Sequence, residues 1–183
     1  LDADERVSLA LRDEILSVVR QGAGDHVYAI PRLNWFFGRF IRHCGWYPKP
    51  VVRLYPSALT RYDDARVHEQ VEVRDSFSIK TLKNDLIHYP YANLRQYVVK
   101  SSSYANDWAK MKSAAGKKSS LVGAFSRAVL RFFRMYLFQK GILDGKQGFL
   151  LCVLSSYYTF LKYAELWALD QEAAKDLRNR YRP

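Results

Sequence analysis

Positive charge is concentrated in one stretch of this 183-residue chain, and the concentration divides the sequence into two parts of different character. Between Lys110 and Lys146, nine lysines and arginines accompany a single acidic residue, Asp144, and they supply +8 of the total net charge of +11. The remainder of the chain is nearly balanced. Because the composition changes near Ser101, we predict a mixed α/β part over residues 1–100 and a helical, basic part over residues 101–183.

The composition also limits the class of protein. Hydrophobic residues make up 49% of the chain and aromatic residues 15%, which is too many for a disordered protein. The positive charge favours an anionic partner: a nucleic acid, an anionic lipid or a phosphorylated substrate. Two cysteines, Cys44 and Cys152, are too few for a disulfide framework and favour a reducing compartment. The chain starts without Met at Leu1, in a sequence typical of the end of a buried strand, so we expect an upstream part and no signal peptide.

The first part consists of short predicted elements. Ser8 is a suitable N-cap for a helix with apolar residues at helical spacing from Leu11, and Gly22 marks its end. The pattern then predicts strands at residues 27–33, 51–55 and 67–73, a loop or short helix at 35–40, and no regular structure at 45–50, where two prolines remove backbone donors. After Leu94 the pattern becomes helical.

The basic stretch contains an amphipathic helix. Over residues 121–136 apolar side chains recur at helical spacing, while Arg127, Arg131 and Arg134 fall within about 60° of one another on the opposite side. Such a helix either docks on an anionic membrane surface or caps the core of the domain. The apolar run at residues 149–161 is too short to cross a bilayer, which needs about 20 residues, and it lies at an interface or in a core.

The sequence Asp2-Ala3-Asp4 is the first chemical feature. In an extended chain residues i and i+2 point to the same side, so both carboxylates would share one divalent cation, which prefers oxygen ligands. The imidazole of His88, in His88-Tyr89-Pro90-Tyr91, would complete an oxygen-rich metal site. The alternative for the acidic pair is a solvated turn.

Two further motifs carry chemistry of a different kind. His68-Glu69 lies in a predicted strand, where Glu69 would serve as a general base or would be an exposed acid without a role. In Gly45-Trp46-Tyr47-Pro48 the aromatic rings beside a glycine suit the apolar face of a sugar, or they form a buried aromatic corner. His26 and His43 are interpreted as structural. The sequence contains no glycine-rich dinucleotide loop, Walker loop, hydrolase elbow or zinc-protease signature.

Taken in order, these motifs resemble those of family-two glycosyltransferases with a GT-A (Rossmann-like) fold, and more narrowly the bacterial lipopolysaccharide inner-core enzymes that add β-glucose to heptose. The chain is similar to the C-terminal portion of such an enzyme, from the DxD motif onward, followed by a basic α-helical tail. The resemblance covers almost the whole chain and rests on the order and spacing of Leu1-Asp2-Ala3-Asp4-Glu5, Gly45-Trp46-Tyr47-Pro48, Arg53-Leu54-Tyr55, Val67-His68-Glu69, His88-Tyr89-Pro90-Tyr91, Lys100, Tyr104, Gly141-Ile142-Leu143-Asp144-Gly145 and Ser155-Ser156-Tyr157-Tyr158-Thr159-Phe160-Leu161-Lys162.

The resemblance implies roles for the residues at the acidic motif. Asp4 would bind a divalent cation, Mg or Mn, and Asp2 would lie near the nucleotide ribose or the same metal. His88 would contact the metal or the diphosphate. Arg53 would orient phosphates or the acceptor, with a structural salt bridge as the alternative.

For the other motifs the resemblance implies contacts with sugars and a part in the catalytic step. Gly45, Trp46 and Tyr47 would face the donor sugar and the acceptor, together with His68. Glu69 would match the catalytic acid of the family's xED motif and would deprotonate the acceptor hydroxyl. The motif departs from the family here, because it reads His68-Glu69 instead of Glu-Asp.

As a whole, the resemblance implies an inverting enzyme that moves a hexose, expected to be glucose, from a UDP-sugar to the heptose of a lipopolysaccharide inner core. Residues 1–100 would form the acceptor and metal-site half of the GT-A domain. Residues 110–146 would attach the protein peripherally to anionic lipids on the cytoplasmic side of the inner membrane. The uridine-binding strands of the family precede the DxD motif, so we expect weak or no activity from this chain alone.

Two alternatives belong to other classes of protein. A basic module that binds single-stranded nucleic acid would use the positive charge and the interleaved aromatic residues, but it would leave the acidic motifs without a role. The other alternative is an inactive fragment that lacks the nucleotide-binding half. Between these classes we favour the transferase and expect no nucleic-acid partner.

Overall fold

One long strand, β2 (His26–Phe36), organises the first part of the chain, because other strands pair with both of its edges. The structure is a computed structural model that describes residues 1–22, 26–56 and 78–180, with backbone alone for residues 174–180. Eight of the eleven residues of β2 are buried, as expected for a strand that is covered on both faces.

Short strands surround β2 in the described part of the sheet. They are β1 (Glu5–Val7), β3 (Arg39–Ile41), β4 (Pro50–Leu54), β5 (Ser78–Thr81) and β6 (Leu86–His88). The C-terminal half of β2 pairs with β6 in parallel and with β3 in antiparallel register, and β1 extends the sheet beyond β6. The N-terminal half pairs with β4 antiparallel and with β5 parallel. The result is a mixed, six-stranded sheet.

Helix α1 (Leu9–Gln21) packs against this sheet through one fully buried residue. Ser8 caps its N-terminus, as the sequence predicts, since its hydroxyl accepts the backbone N–H of Leu11 at 3.2 Å. Gly22 follows with φ +81°, a conformation that favours glycine, and ends the helix where the sequence predicts. Leu11 is buried in an apolar cluster that includes residues of β2 and β6.

β2 continues into a tight hairpin where the sequence predicts a loop or short helix. Residues 35–40 belong to β2, to β3 and to the two-residue turn Phe37-Gly38, so the prediction for this segment is wrong. Both turn residues have positive φ, 44° and 101°, as the tightest hairpin turns require. A phenylalanine at the first turn position gives no turn signal, and the aromatic run lacks the alternation of a half-exposed strand.

The remaining strand predictions have different outcomes. β2 includes residues 27–33, and β4 covers nearly all of residues 51–55, so both strands are confirmed. The strand predicted at residues 67–73 lies outside the described residues. Leu1 is exposed and precedes β1.

The described residues form two compact units. The sheet unit consists of Leu1–Arg42 and Trp46–Pro90, and the helical unit consists of His43–Gly45 and Tyr91–Pro183. The mixed α/β architecture predicted for the first part is confirmed in the sheet unit. The change from sheet to helices falls earlier in the chain than the change in composition near Ser101.

The described part of the helical unit contains three long helices and two short helical turns. They are α2 (Leu94–Ala114), α3 (Leu121–Phe133), a π-helical turn (Arg134–Phe138), a 3-10 turn (Gly141–Asp144) and α4 (Gly145–Arg180). α2 begins where the sequence pattern becomes helical, and both α2 and α3 pack against α4. None of the helices described is both long enough and apolar enough to cross a membrane.

The buried side of α3 differs from the side that the apolar pattern indicates. Ala124 and Ala128 are buried, whereas Val122 and Phe125 are 78% and 63% exposed. Small residues allow two helices to approach closely, so the alanines are the most deeply buried residues of α3. Phe132 also reaches α4, with its ring centre 5.9 Å from that of Phe149. The alternative that Val122, Phe125, Val129 and Phe132 cap the core therefore fails for Val122 and Phe125, whereas Val129 and Phe132 are half-buried.

Two glycines allow a close backbone approach at the start of α4. A Cβ on Gly148 would lie 2.1 Å from the carbonyl oxygen of Gly141, and a Cβ on Gly141 would lie 2.9 Å from the Sγ atoms of both Cys44 and Cys152. The two cysteines are free thiols with their sulfur atoms 3.8 Å apart. The backbone N–H of Cys44 also donates to the carbonyl of Gln139 at 2.9 Å, which fixes residues 43–45 in the helical unit.

Leu11→Ala should destabilise the protein by about 2–5 kcal/mol, because it removes a fully buried side chain and leaves a cavity. The cavity would open among Tyr28, Ile30, Leu82 and Leu86. Leu9→Ala is the matched control: Leu9 lies in the same helix but is 72% exposed, so its loss should change the free energy of unfolding by less than about 0.5 kcal/mol. Urea unfolding followed by circular dichroism measures both variants, and equal losses would contradict this description of the core.

Candidate functional site

The two aspartates of the N-terminal motif lie in a turn and have different partners. The backbone N–H of Glu5 donates to the carbonyl of Asp2 at 3.0 Å, so the extended geometry predicted for this motif is wrong. The Asp2 carboxylate accepts a hydrogen bond from Nη2 of Arg53 at 2.5 Å. Oδ2 of Asp4 lies 3.4 Å from Nε2 of His88. The turn therefore directs the two carboxylates to different neighbours.

Strand pairing brings His88 to Asp4. β1 pairs with β6 in a register that sets Glu5 opposite His88, and the backbone N–H of Tyr89 donates to the carbonyl of Asp4 at 2.9 Å. The side chain of His88 is 12% exposed and that of Asp4 is 40% exposed, so the imidazole is largely buried while the carboxylate reaches solvent. Two residues that the sequence assigns to a metal site from separate motifs are thus neighbours in the structure.

Hydrogen bonds determine which nitrogen of His88 faces the carboxylate. The side-chain amide of Asn34 donates to the carbonyl of Trp46 at 3.3 Å, which leaves the amide oxygen to accept a hydrogen bond from Nδ1 of His88 at 2.6 Å. A neutral His88 therefore carries its proton on Nδ1. The lone pair of Nε2 is then free on the side of Asp4.

The surroundings keep His88 neutral. Burial lowers the pKa of its imidazole, and the positive charge of Arg32 lowers it further, against smaller opposing effects of Asp4 and Glu5. A neutral imidazole nitrogen and a carboxylate oxygen are both electron-pair donors, so at 3.4 Å they repel each other unless a cation or a proton lies between them. Asn34 acts on His88 as the outer hydrogen-bond partner that metal-binding histidines have.

These residues fit a divalent metal ion of the kind that the resemblance implies. Within the described ranges, no group of three or more His, Cys, Asp or Glu side chains is arranged around one point. Mg²⁺ and similar ions in nucleotide sites are held by one or two carboxylates together with substrate phosphates, so a two-residue protein site is sufficient. Asp4 and His88 are the two side chains that would supply it.

A buried carboxylate, that of Glu5, lies next to this pair and is not among the site residues predicted from the sequence. Glu5 is 3% exposed, and its oxygens accept hydrogen bonds from Nε and Nη2 of Arg53 at 3.1 and 3.0 Å. Arg32 lies 3.9 Å from the same carboxylate. Arg53 therefore forms a structural salt bridge with Glu5 and Asp2, which is the alternative stated for it. Such a pair holds the turn in place, because a buried carboxylate without its partner is strongly destabilising.

The aromatic rings of the Trp46-Tyr47 sequence are anchored within the sheet unit. The half-buried indole of Trp46 packs edge-on against Phe36, with 5.6 Å between ring centroids. The hydroxyl of Tyr47 donates to Asp85 at 2.9 Å, and the guanidinium of Arg42 lies 5.4 Å from the Tyr47 ring centre. Burial raises the pKa of Tyr47, and Asp85 raises it further, so this hydroxyl stays protonated and acts as a donor.

Gly45, which precedes Trp46 in the motif, belongs to the helical unit. Its φ is +68°, and a Cβ there would lie 2.5 Å from Oε1 of Gln139, so both backbone conformation and space favour glycine. His43 donates its backbone N–H to the 1%-exposed carboxylate of Asp144 at 2.8 Å, and its Nδ1 lies 3.1 Å from the same carboxylate. This pairing agrees with the structural interpretation of His43.

Two residues at the site, Asn34 and Glu5, are not predicted from the sequence. His68 and Glu69, the predicted base and its neighbour, lie outside the described residues. The available signal for Asn34 is a polar residue between two apolar neighbours, directly after the strand predicted at residues 27–33. A buried amide needs partners, and the partners of this one are a backbone carbonyl and the histidine of the site.

Comparison with known proteins supports a glycosyltransferase. The chain is 24% identical over 195 residues to a protein of Rickettsia bellii named uncharacterized glycosyltransferase, and the alignment covers 99% of this chain and 66% of that protein. Proteins with the same description from Rickettsia conorii and Rickettsia felis are each 24% identical over 179 residues, covering 91% of this chain and 62% of each relative. The chain thus spans less than two thirds of the length of these curated relatives. No protein-family model and no solved structure matches it.

The protein should become less stable at acidic pH because His88 is buried in its neutral form. Since its folded pKa lies below the ordinary value of 6.5, the unfolded chain binds the proton more readily, and the free energy of unfolding falls as the pH drops below that value. His88→Gln does not titrate and should remove part of this dependence. Urea unfolding at about pH 7.5 and about pH 5 compares the two proteins. The same loss in both would contradict the buried, neutral imidazole.

Proposed function

We propose that this chain is part of a metal-dependent glycosyltransferase whose nucleotide-sugar site includes Asp4 and His88. The observation that carries the proposal is the 3.4 Å approach of the Asp4 carboxylate to a neutral His88 nitrogen whose ring is held by Asn34. The Rickettsia relatives named glycosyltransferase support the class of enzyme. Because the chain spans 62–66% of those relatives, the proposed activity is that of the whole protein.

Asp4 and His88 would hold the metal ion, Mg or Mn. A divalent cation bound there supplies positive charge that stabilises the departing UDP. His88 binds without first releasing a proton, because burial and Arg32 already favour its neutral form. Asn34 keeps the ring oriented, so that binding requires little reorganisation of the side chain.

Asp2 and Arg53 would serve the same site by fixing the turn that presents Asp4. Arg53 binds both Asp2 and the buried Glu5, so its guanidinium is already occupied by two carboxylates. We assign Arg53 a positioning role for this reason. By the resemblance, Asp2 would lie near the nucleotide ribose or the metal, and its side chain is 58% exposed and accessible to a ligand.

The acceptor side of the proposal follows the resemblance. Glu69 would deprotonate the acceptor hydroxyl, and that oxygen would attack the anomeric carbon from the face opposite UDP, so that the configuration inverts. The Gly45-Trp46-Tyr47 sequence would contact the donor sugar and the acceptor. His68 would contribute to the same contacts. The donor would be a UDP-hexose, with glucose as the expected sugar. The acceptor would be the heptose of a lipopolysaccharide inner core.

An acceptor of this kind lies at a membrane, and the region around α3 has a surface that is suited to membrane binding. Large apolar side chains are exposed beside the lysines and arginines of residues 110–146: Val122 by 78%, Phe125 by 63%, Leu130 by 67% and Phe138 by 82%. Exposed apolar groups next to positive charge are typical of helices that lie on anionic bilayers. We propose peripheral attachment through this region to the cytoplasmic side of the inner membrane.

Asp4→Asn should weaken the binding of Mn²⁺ in the presence of UDP by about 10–100-fold or more, because it removes one of the two side-chain ligands. His88→Gln should have a similar effect. Isothermal titration calorimetry measures both. The matched control is Asp13→Asn, since Asp13 is 65% exposed and paired with Arg12, and it should bind like the unmodified chain. Mn²⁺ binding that is unchanged in Asp4→Asn would remove the proposed metal site.

Val122→Ser combined with Phe125→Ser should weaken the binding of anionic vesicles by about 100-fold or more, because each apolar side chain that the membrane buries adds roughly 1.5–3 kcal/mol. Raising the salt concentration should weaken binding further, since each nearby Lys or Arg contributes roughly 1 kcal/mol. Ile79→Ser is the control, because Ile79 is 58% exposed but lies in the sheet unit. Vesicle binding that changes neither with salt nor with the α3 substitutions would contradict the proposed attachment to the membrane.

A further inference from the structure

Three half-buried cations in the helical unit come from three different helices. They are Lys112 of α2, Arg131 of α3 and Lys162 of α4. Nζ of Lys162 lies 4.6 Å from the ring centre of Trp108, and Nζ of Lys112 lies 5.9 Å from the same centre. Lys162 also lies 5.1 Å from the ring centre of Tyr158. Lys112 and Lys162, from two different helices, therefore share one indole ring, and Arg131 is a third half-buried cation in the same unit.

Acidic partners for these cations are missing among the residues described. The ion pairs described in the helical unit are Lys118 with Asp170, at 2.9 Å, and His43 with Asp144, at 3.1 Å, and neither includes the three cations. Partly buried charges in proteins are normally paired with opposite charges. The faces of the indole and the phenol compensate part of the positive charge, but they do not neutralise it.

The cations act on one another. Burial lowers the pKa of Lys162, and the positive charges of Arg131 and Lys112 lower it further. A cluster that served only to stabilise the helices would gain from a carboxylate at this position. Repulsion between like charges is instead retained, which is typical of a site that is completed by an anion.

We propose that Lys112, Arg131 and Lys162 form a binding site for a phosphate monoester group. The planar guanidinium of Arg131 can donate two parallel hydrogen bonds to phosphate oxygens, and the two ammonium groups add charge on a dianion. This site belongs to the helical unit and does not depend on the Asp4–His88 pair. Its ligand can therefore be tested without metal ion or nucleotide.

Thermal unfolding of the full chain tests the site with a soluble probe. Glycerol 3-phosphate should raise the melting temperature relative to chloride at equal ionic strength, because a ligand that binds the folded state stabilises it. Lys162→Gln and Lys112→Gln should each weaken the apparent affinity by about tenfold or more. The control is Lys117→Gln with Lys146→Gln, two exposed lysines outside the cluster, which should retain the shift. Melting in chloride alone shows that each variant is folded.

Vesicles distinguish a lipid headgroup from a free phosphate. We expect tighter binding to vesicles with phosphatidic acid than to phosphatidylglycerol vesicles of equal surface charge, and a loss of this preference in Lys162→Gln but not in the control. Competition by soluble glycerol 3-phosphate would show that both forms use one site. The proposal is overturned if the cluster variants and the control respond alike to phosphate and to both lipids. It is also overturned if the cluster variants lose binding to single-stranded DNA but not to any phosphate monoester.

Discussion

The pairing of β2 with strands on both edges is the constraint on which the sheet unit and its candidate metal site depend. The register of β2 with β6 sets Asn34 beside His88, and the register of β6 with β1 sets His88 opposite Glu5. Side chains alternate between the two faces of a strand, so a slip of one residue would turn each of these groups to the other face. The site is therefore a product of three strands in register rather than of any one motif.

Two neighbouring acids illustrate how environment separates structural from chemical roles. Glu5 is buried and satisfied by Arg53, so its charge is fully used within the protein. Asp4, one residue earlier, is 40% exposed and meets a neutral imidazole instead of a cation. A carboxylate in the second situation retains capacity to bind a metal ion, whereas one in the first does not.

Local signals predict those parts of the fold whose ends are determined by nearby residues. Ser8 and Gly22 mark the ends of α1 correctly, because a capping hydroxyl and a left-handed backbone act within one turn of helix. The Phe37-Gly38 hairpin is missed because strand pairing, not the residue type, imposes a positive φ on Phe37. The buried side of α3 is predicted only in part: Val129 and Phe132 are half-buried, but hydrophobic periodicity does not detect the small residues Ala124 and Ala128, which are buried more deeply. Asp4 and His88 are recognisable as metal-binding types, but their proximity follows from strand register and is not readable from spacing.

Residues His43–Gly45 belong to the helical unit, although the residues on both sides of them belong to the sheet unit. The chain consequently passes between the units after Arg42, after Gly45 and again after Pro90. Neither unit corresponds to one uninterrupted length of coding sequence. An exchange of coding sequence after Pro90 would therefore separate residues 43–45 from the rest of the helical unit, and with them the hydrogen bond from the backbone N–H of Cys44 to the carbonyl of Gln139.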